Sequence, residues 1–189
     1  ESEGSQAIIT NNVIFGVPSP RSAAIMLADC EGSCQLGQAV VINNTLDGLG
    51  SSGNATISAA LVFKTWKNAV TVVVGRVRNN ILLGGLGQQA FGGFEDVTSN
   101  GQPVVGSTAQ PQEFDNNDLW DTTTMYRHWD GTQNLVFNDI PSVDGGVNGA
   151  NDNLSGDPLL DKAGHLGAGS PCIDAGTQSG GETPTWDID

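Results

Sequence analysis

The chain has 189 residues, 38% of them apolar, so it is long enough to build one continuous hydrophobic core. Seven lysines and arginines against 21 aspartates and glutamates give a formal net charge of −14, which disfavours nucleic acid and anionic membrane surfaces as partners. No stretch approaches the roughly 20 apolar residues of a membrane span. The acidity fits three explanations: simple solubility, cation binding or adaptation to salty surroundings.

The chain opens with the polar stretch ESEGSQ, without an initiator methionine or a signal peptide, so we expect that an upstream segment was removed or left out. Further on, Cys30 and Cys34 lie four residues apart in a turn rich in glycine and serine. This spacing predicts a small disulfide loop in a secreted protein, with two free surface thiols as the alternative. A zinc site is disfavoured because no second Cys/His pair accompanies them. Cys172 is predicted to be a buried thiol.

A pair of adjacent asparagines recurs four times in apolar surroundings. Counted from the first asparagine of each pair, the steps are 32, 36 and 37 residues (11 to 43, 43 to 79 and 79 to 116), so the chain contains a repeat. The pairs are Asn11 and Asn12, Asn43 and Asn44, Asn79 and Asn80, and Asn116 and Asn117.

Each pair lies between two short apolar arms, which predicts two strands that meet at a polar corner. One asparagine can adopt the left-handed backbone conformation and so make the bend. When equivalent asparagines stack on one another, their amides can bond to the residues above and below. A ladder of this kind satisfies polar groups that would be costly to bury alone.

Apolar runs at residues 23–29, 57–63 and 69–75 lie between the asparagine pairs. Such near-continuous runs are typical of parallel strands around a buried core, and they predict an all-β stack of coils. We expect long loops at residues 84–113 and 141–157, where glycine and polar residues are frequent. The residues expected to point inward are Ile8, Ile42, Leu61, Val72, Ile81, Leu119 and Leu135.

Charged and aromatic side chains concentrate in the stretch DNNDLWDTTTMYRHWDG, residues 115–131. Carboxylates beside aromatic rings can hold a sugar, and enzymes that cleave polysaccharides need such carboxylates or a Ca²⁺ cluster with a basic residue. The alternative is a loop whose aromatic residues cover the core and whose charges face water. The candidate catalytic residues are Asp115, Asp118, Asp121, Arg127, His128 and Asp130. The candidate carbohydrate-binding residues are Trp120, Tyr126 and Trp129.

Residues 148–157, NGANDNLSGD, superficially resemble a calcium loop. An EF-hand is excluded, because with Asn151 as position one, position twelve is Lys162, where a bidentate glutamate is required. A looser Ca²⁺ site could use Asp144, Asp152 or Asp157. The sequence requires no cofactor, and Ca²⁺ is the one candidate that it offers.

The C-terminal stretch NLSGDPLLDKAGHLGAGSPCIDAGTQ, residues 153–178, resembles the last coil of bacterial pectin-lyase-like right-handed parallel β-helix proteins. In that family the ending runs as Asp-Pro, an apolar pair, a glycine-rich turn and Ser-Pro-Ala-Ile-Asp-Ala-Gly. Here Cys172 replaces the usual alanine, and TPTWDID at 183–189 resembles the start of the tail that often follows. The matching residues are Asp157, Pro158, Leu159, Leu160, Leu166, Ser170, Pro171, Ile173, Asp174, Ala175 and Gly176.

The resemblance implies a right-handed parallel β-helix, a solenoid with long loops between its strands, at a bacterial extracellular or cell-surface location. It implies no reaction, because β-helices include lyases, hydrolases, adhesins and inert stalks. The strong motifs all concern the fold, so we favour a noncatalytic module with a structural, adhesive or assembly role. The alternative is a polysaccharide lyase or glycoside hydrolase that uses the residues 115–130.

We divide the chain into coils at 1–140 and a last coil with a C-terminal tail at 141–189, together one continuous domain and part of a longer chain. The end coils of such a stack expose unpaired strand edges. ESEGSQ is too short and too polar to cover the first one. Residues 7–15 are therefore expected to pair with preceding coils of the same polypeptide or with a neighbouring subunit. Polysaccharide is a further candidate partner.

Overall fold

A computed structural model describes the chain at residues 7–15, 21–28, 39–48, 57–65, 71–73, 75–85, 89–99 and 102–177. Within these ranges the chain is mostly β-strand, and most strands pair in parallel. No helix among these residues is long and apolar enough to cross a membrane. The prediction of an all-β fold with parallel sheets is therefore confirmed.

Two parallel sheets are built from strands of two or three residues. Sheet 1 contains, in spatial order, β1 (Ile8–Thr10), β4 (Val40–Ile42), β8 (Arg76–Arg78), β13 (Glu113–Asp115) and β17 (Ala150–Asn151). Sheet 2 contains β2 (Val13–Phe15), β5 (Thr45–Asp47), β9 (Ile81–Leu83) and β14 (Asp118–Trp120).

Longer strands form sheet 3. Its parallel strands are β3 (Arg21–Ala28), β6 (Ile57–Thr65), β10 (Ala90–Ser99) and β15 (Thr124–Trp129). Two short strands pair with it antiparallel, β11 (Gln102–Pro103) with β10 and β16 (Asn134–Phe137) with β15. The remaining elements are the parallel pair β7 (Thr71–Val73) and β12 (Thr108–Gln110), and the helix α1 (Ile140–Gly146).

The chain visits sheets 1, 2 and 3 in the same order in each repeat. Strands β1, β2 and β3 are followed by β4, β5 and β6, then by β8, β9 and β10, and then by β13, β14 and β15. Equivalent strands pair in register, so that Val41 lies opposite Ile9 on one side and Val77 on the other. Each asparagine repeat therefore forms one layer of a stack.

The core lies between the three sheets and is filled by one row of side chains from each strand position. In the three-residue strands the middle residue points inward, because successive side chains alternate between the two faces. The fully buried members of this core include Val41, Leu46, Leu61, Phe63, Val77, Leu82, Phe114, Leu119 and Tyr126.

The same alternation decides which predicted inward residues are correct. Leu61 and Leu119 are fully buried in the core. Ile8 lies on the outer side of its strand, because its neighbour Ile9 points inward, and it is 61% exposed. The other predicted residues divide as follows: Ile42 is buried but lies on the outer side of sheet 1, Ile81 and Leu135 are partly exposed, and the side chain of Val72 lies outside the description.

The prediction of loops at residues 84–113 and 141–157 is wrong in part. Strands β10, β11 and β12 occupy most of residues 84–113, where the glycines suggested a loop. Gly93 is a strand residue, and a Cβ at this position would approach the Tyr126 ring to 2.4 Å, so glycine supplies space and not flexibility. The range 141–157 contains most of α1 as well as β17, and Asp139 caps the helix by accepting the Ser142 N–H at 2.8 Å.

Candidate functional site

The asparagine pairs form the corner between sheets 1 and 2. The first asparagine of each pair has a left-handed backbone, with φ between 53° and 56° at Asn11, Asn43, Asn79 and Asn116. Asp152, with φ of 51°, makes the same corner in a fifth repeat. The repeat therefore continues one layer beyond the four asparagine pairs.

The second asparagine of each pair belongs to a continuous ladder of side-chain amides. At each step the backbone N–H and Nδ2 of one asparagine both donate to Oδ1 of the next, at 3.0 to 3.1 Å. The Nδ2 groups of the middle asparagines also donate to backbone carbonyls, as Asn80 does to Val41 and Arg78 at 2.9 Å each. The ladder runs through Asn12, Asn44, Asn80, Asn117 and Asn153.

The three predicted Ca²⁺ ligands have separate structural partners. Asp144 of α1 accepts a hydrogen bond from Asn153 Nδ2 at 2.6 Å and so ends the ladder where the next asparagine would otherwise lie. Asp152 makes the fifth corner, and Asp157 accepts the Leu159 N–H at 2.9 Å. No group of three His, Cys, Asp or Glu side chains within the described ranges could hold a metal ion. Ca²⁺ binding stays a prediction.

A buried carboxylate, Glu95, is the centre of the most concentrated polar cluster in sheet 3. It lies in register with Phe63 on the neighbouring strand, and its side chain has no exposed surface. The Tyr126 hydroxyl donates to Oε1 at 3.0 Å, and the Trp129 backbone N–H donates to Oε2 at 2.9 Å. His128 Nδ1 lies 3.0 Å from Oε1 and 2.9 Å from Oε2. Three donors from β15 thus satisfy one carboxylate of β10.

The aromatic residues of this cluster are part of the core, so Tyr126 and Trp129, two of the three predicted sugar-binding residues, are buried in this structure, and sugar binding stays a prediction. Tyr126 is fully buried and packs edge-on against Phe114 at 5.3 Å between ring centres. Trp129 is buried and donates its ring N–H to the Ser107 carbonyl at 2.8 Å. Neither ring can present a face to a sugar. Trp120, at the end of β14, is 37% exposed and is the one predicted ring with an open surface.

His128 should make the stability of the fold depend on pH. Burial lowers its pKa, but the hydrogen bond and charge of Glu95, aided by the charge of Asp130, outweigh burial and raise the pKa above its ordinary value. The folded state then binds this proton more tightly than the unfolded state. The stabilisation is therefore complete below about pH 6.5 and is lost as the pH rises through the raised folded pKa.

Urea unfolding between about pH 5.5 and about pH 8.5 checks this expectation. The free energy of unfolding should fall across the range in the natural chain, and the His128→Gln variant should show a smaller fall. Equal slopes for the two proteins would contradict the assignment to His128.

The candidate catalytic residues of sheets 1 and 2 face different surroundings. Asp115 lies on the outer side of sheet 1, 3.9 Å from Arg78, and its pKa is raised by burial, which the Arg78 charge offsets only in part. Asp118 in β14 is almost fully buried and is directed to the C-terminal segment. Asp121 is exposed at the turn after β14, with φ of 51°. These three carboxylates do not share one surface.

The candidate residues of sheet 3 also have structural partners. The Arg127 guanidinium lies over the Phe94 ring at 4.8 Å, on the side of the sheet opposite to the Tyr126 ring. Asp130 is exposed in the turn between β15 and β16, and the N–H groups of Gln133 and Thr132 and the Thr132 hydroxyl donate to it. These bonds hold the pKa of Asp130 at about 2. A raised pKa, as a catalytic acid would need, is not found there.

Asp118 attaches the C-terminal segment to the stack. Its Oδ1 accepts the Gly156 N–H at 2.9 Å, and its Oδ2 accepts the Cys172 thiol at 3.1 Å. Asn79, two layers before the last, bonds both to the Thr177 N–H at 2.9 Å and to the Thr177 carbonyl at 2.7 Å. The end of the described chain therefore runs back across the asparagine corners and holds several repeats together.

Cys172 is half-buried, and we expect it to react slowly with iodoacetamide in the folded protein. Burial, together with the bond to the Asp118 carboxylate, raises the pKa of the thiol to about 12. In the Asp118→Asn variant the charge is gone, so the fraction of thiolate should rise about tenfold for each unit that the pKa falls, and the alkylation rate should rise with it. Peptide mass spectrometry after timed alkylation measures the rate. Equal rates in the folded and the urea-unfolded natural chain would contradict this account.

Cys30 and Cys34 lie outside the described residues, so their disulfide stays a prediction. The same unfolded, unreduced sample tests it, because bonded cysteines cannot be alkylated. Modification of Cys172 alone is the expected result, and modification of all three cysteines would exclude the bond.

No family model, curated protein or solved structure matches the chain.

Proposed function

We propose that this chain is a noncatalytic module of a secreted or cell-surface protein, wound as a right-handed parallel β-helix, with a structural, adhesive or assembly role. The observation that carries the proposal is that the buried polar groups form hydrogen bonds between repeats. The asparagine ladder, Glu95 and Asp118 each bond one repeat to another. Their hydrogen bonds hold neighbouring layers of the stack together.

The winding direction is supported by a general rule. Connections between parallel strands are almost always right-handed, because a twisted strand leads back to the sheet only in that way. The resemblance of the C-terminal ending to pectin-lyase-like proteins favours the same fold and a bacterial extracellular location.

The positions of the charged groups favour a structural role over polysaccharide cleavage. Hydrolysis of a glycosidic bond needs two carboxylates on either side of one sugar, at most about 9.5 Å apart and open to the substrate. Asp115, Asp118 and Glu95 belong to three different sheets, and the last two are buried. Trp120 remains a surface on which a sugar could stack without being cleaved, which is consistent with adhesion.

Incubation with acidic and neutral polysaccharides, with and without Ca²⁺, tests the proposal. We expect no shortening of any polymer in size-exclusion profiles, whereas an adhesive role would give retention of the chain on immobilised polysaccharide that the Trp120→Ala variant weakens. Polymer cleavage that disappears in the His128→Gln variant, at unchanged circular dichroism, would overturn the proposal in favour of a lyase or hydrolase.

A further inference from the structure

The asparagine ladder has a direction. Each amide accepts the donors of the preceding asparagine through Oδ1, and from Asn12 to Asn117 each donates through its backbone N–H and Nδ2 to Oδ1 of the following asparagine. Oxygen therefore faces the N-terminal end of the stack at every step. A ladder of this kind has an acceptor end and a donor end.

The two ends of the ladder differ in their hydrogen-bond partners. At the donor end Asp144 takes up the last amide, so the ladder is closed by a residue of the same chain. At the acceptor end Asn12 is exposed, and its Oδ1 accepts no bond from the described part of the chain. Both hydrogens of its Nδ2 are in use, because Nδ2 donates to the Thr10 carbonyl at 2.8 Å and to Asn44 Oδ1 at 3.0 Å.

A backbone donor lies beside this open acceptor. In later repeats the N–H after each asparagine pair donates to the preceding layer, from Thr45 to Asn12, from Ile81 to Asn44 and from Asp118 to Asn80, at 2.8 to 2.9 Å. Val13 holds the same position in the first layer. No described strand precedes it, because β2 is the last strand of sheet 2. Asn12 Oδ1 and the Val13 N–H thus offer the same acceptor and the same donor that the later layers use.

Apolar side chains around the same edge are also uncovered. Ile8 is 61% exposed, whereas Val40, opposite it in the second layer, is fully buried. Met26 is 57% exposed, whereas its partner Val62 is 8% exposed. The first layer therefore carries apolar surface that its counterpart in the next layer has buried.

We infer that the N-terminal end of this stack binds a further parallel β-coil that places an asparagine amide above Asn12. The inference rests on the structural role proposed above and names the partner by its chemistry. Such a coil would donate its N–H and Nδ2 to Asn12 Oδ1 and accept the Val13 N–H through a backbone carbonyl.

A second copy of the chain does not meet these requirements. In a head-to-head pair, Asn12 of each copy would direct an oxygen at the other, since both amide hydrogens are engaged. In a head-to-tail pair, Asp144 occupies the place that Asn12 would need. The donor end and the acceptor end of two identical chains therefore cannot join, and the coil must come from other sequence.

The test supplies one such coil. Residues 11–42 are duplicated in tandem within the full chain, so that the first copy provides an asparagine pair one repeat before the second copy. The matched control carries Asn12→Asp in the first copy only, which replaces the donating amide by a carboxylate. Hydrogen exchange is read at the Val13 amide of the second copy, with the Val77 amide of β8 as an internal measure of folding.

We expect the Val13 amide to exchange at least about tenfold more slowly in the duplicated chain than in the natural chain, and the control to lose most of this protection. Unchanged exchange with β8 still protected would overturn the inference, as would equal protection in the control. Dimers of the natural chain that disappear in the Asn12→Ala variant would overturn the exclusion of a second copy. Polysaccharide cleavage would overturn the proposed function without changing the exchange of the Val13 amide. A failure of the proposed function can therefore be distinguished from a failure of this inference.

Discussion

Replacing Asn80 by alanine is expected to lower the free energy of unfolding by on the order of 4 kcal/mol. Asn80 is 1% exposed in the middle of the ladder. Its loss leaves the Asn44 backbone N–H without its acceptor and the Val41 carbonyl without its Nδ2 donor, and it removes the bond between the Asn44 and Asn80 amides. Because Asn80 is buried, the groups left unpaired bear a desolvation cost. Urea unfolding measures the change.

Asn148→Ala provides the matched control for this variant. Asn148 is exposed and makes a single side-chain bond, to the Pro111 carbonyl at 2.8 Å, outside the ladder. Its removal should cost about 1 kcal/mol or less. Similar losses in the two variants would show that asparagine content matters and that the ladder does not.

The asparagine corners could be predicted from the sequence, because the structural features of each corner depend on the residue type itself. A left-handed bend and a stacked amide each favour asparagine, and the chain repeats the pair at nearly constant steps. The fifth corner is less evident in the sequence, because Asp152 stands where the other four repeats have asparagine. A step of 36 residues from Asn116 leads to Asp152 (116 + 36 = 152), so the period contained a signal that the residue pair alone did not.

The Glu95 cluster could not be predicted in the same way. Its three donors lie 31 to 34 residues further along the chain, and which of them reach the carboxylate depends on the register between β10 and β15. That register follows from loop lengths and from the space that Gly93 leaves for Tyr126. Local pattern marked Tyr126, His128 and Trp129 as unusual, but it could not tell an inward cluster from an outward one.

Replacing Glu95 by alanine is expected to lower the free energy of unfolding by about 3 to 5 kcal/mol. The substitution removes the shared acceptor of the Tyr126 hydroxyl, His128 Nδ1 and the Trp129 N–H, all in the interior or at its edge. It also leaves a cavity beside Phe63, because glutamate fills more space than alanine. Guanidinium unfolding followed by tryptophan fluorescence is a suitable measurement, since Trp129 is part of the cluster.

Two conservative variants divide this loss into its parts. Tyr126→Phe keeps the ring against Phe114 and removes one hydroxyl, so it should cost about 1 to 2 kcal/mol. Glu95→Gln keeps the volume and one acceptor oxygen, so its cost should lie between those of the other two variants. If the Glu95→Ala variant had the same free energy of unfolding as the natural chain, the structural role assigned to Glu95 would be contradicted.

The sign of the Glu95→Ala effect also separates the two functional classes. Residues kept for catalysis often cost stability, so that their removal makes the protein more stable and inactive. A residue kept for the fold gives the opposite result. Higher stability of the Glu95→Ala variant, together with the loss of a polysaccharide-cleaving activity, would favour a catalytic role for Glu95. Lower stability in a protein that cleaves no polysaccharide is the result we expect, because all three donors that hold Glu95 belong to the next layer of the stack.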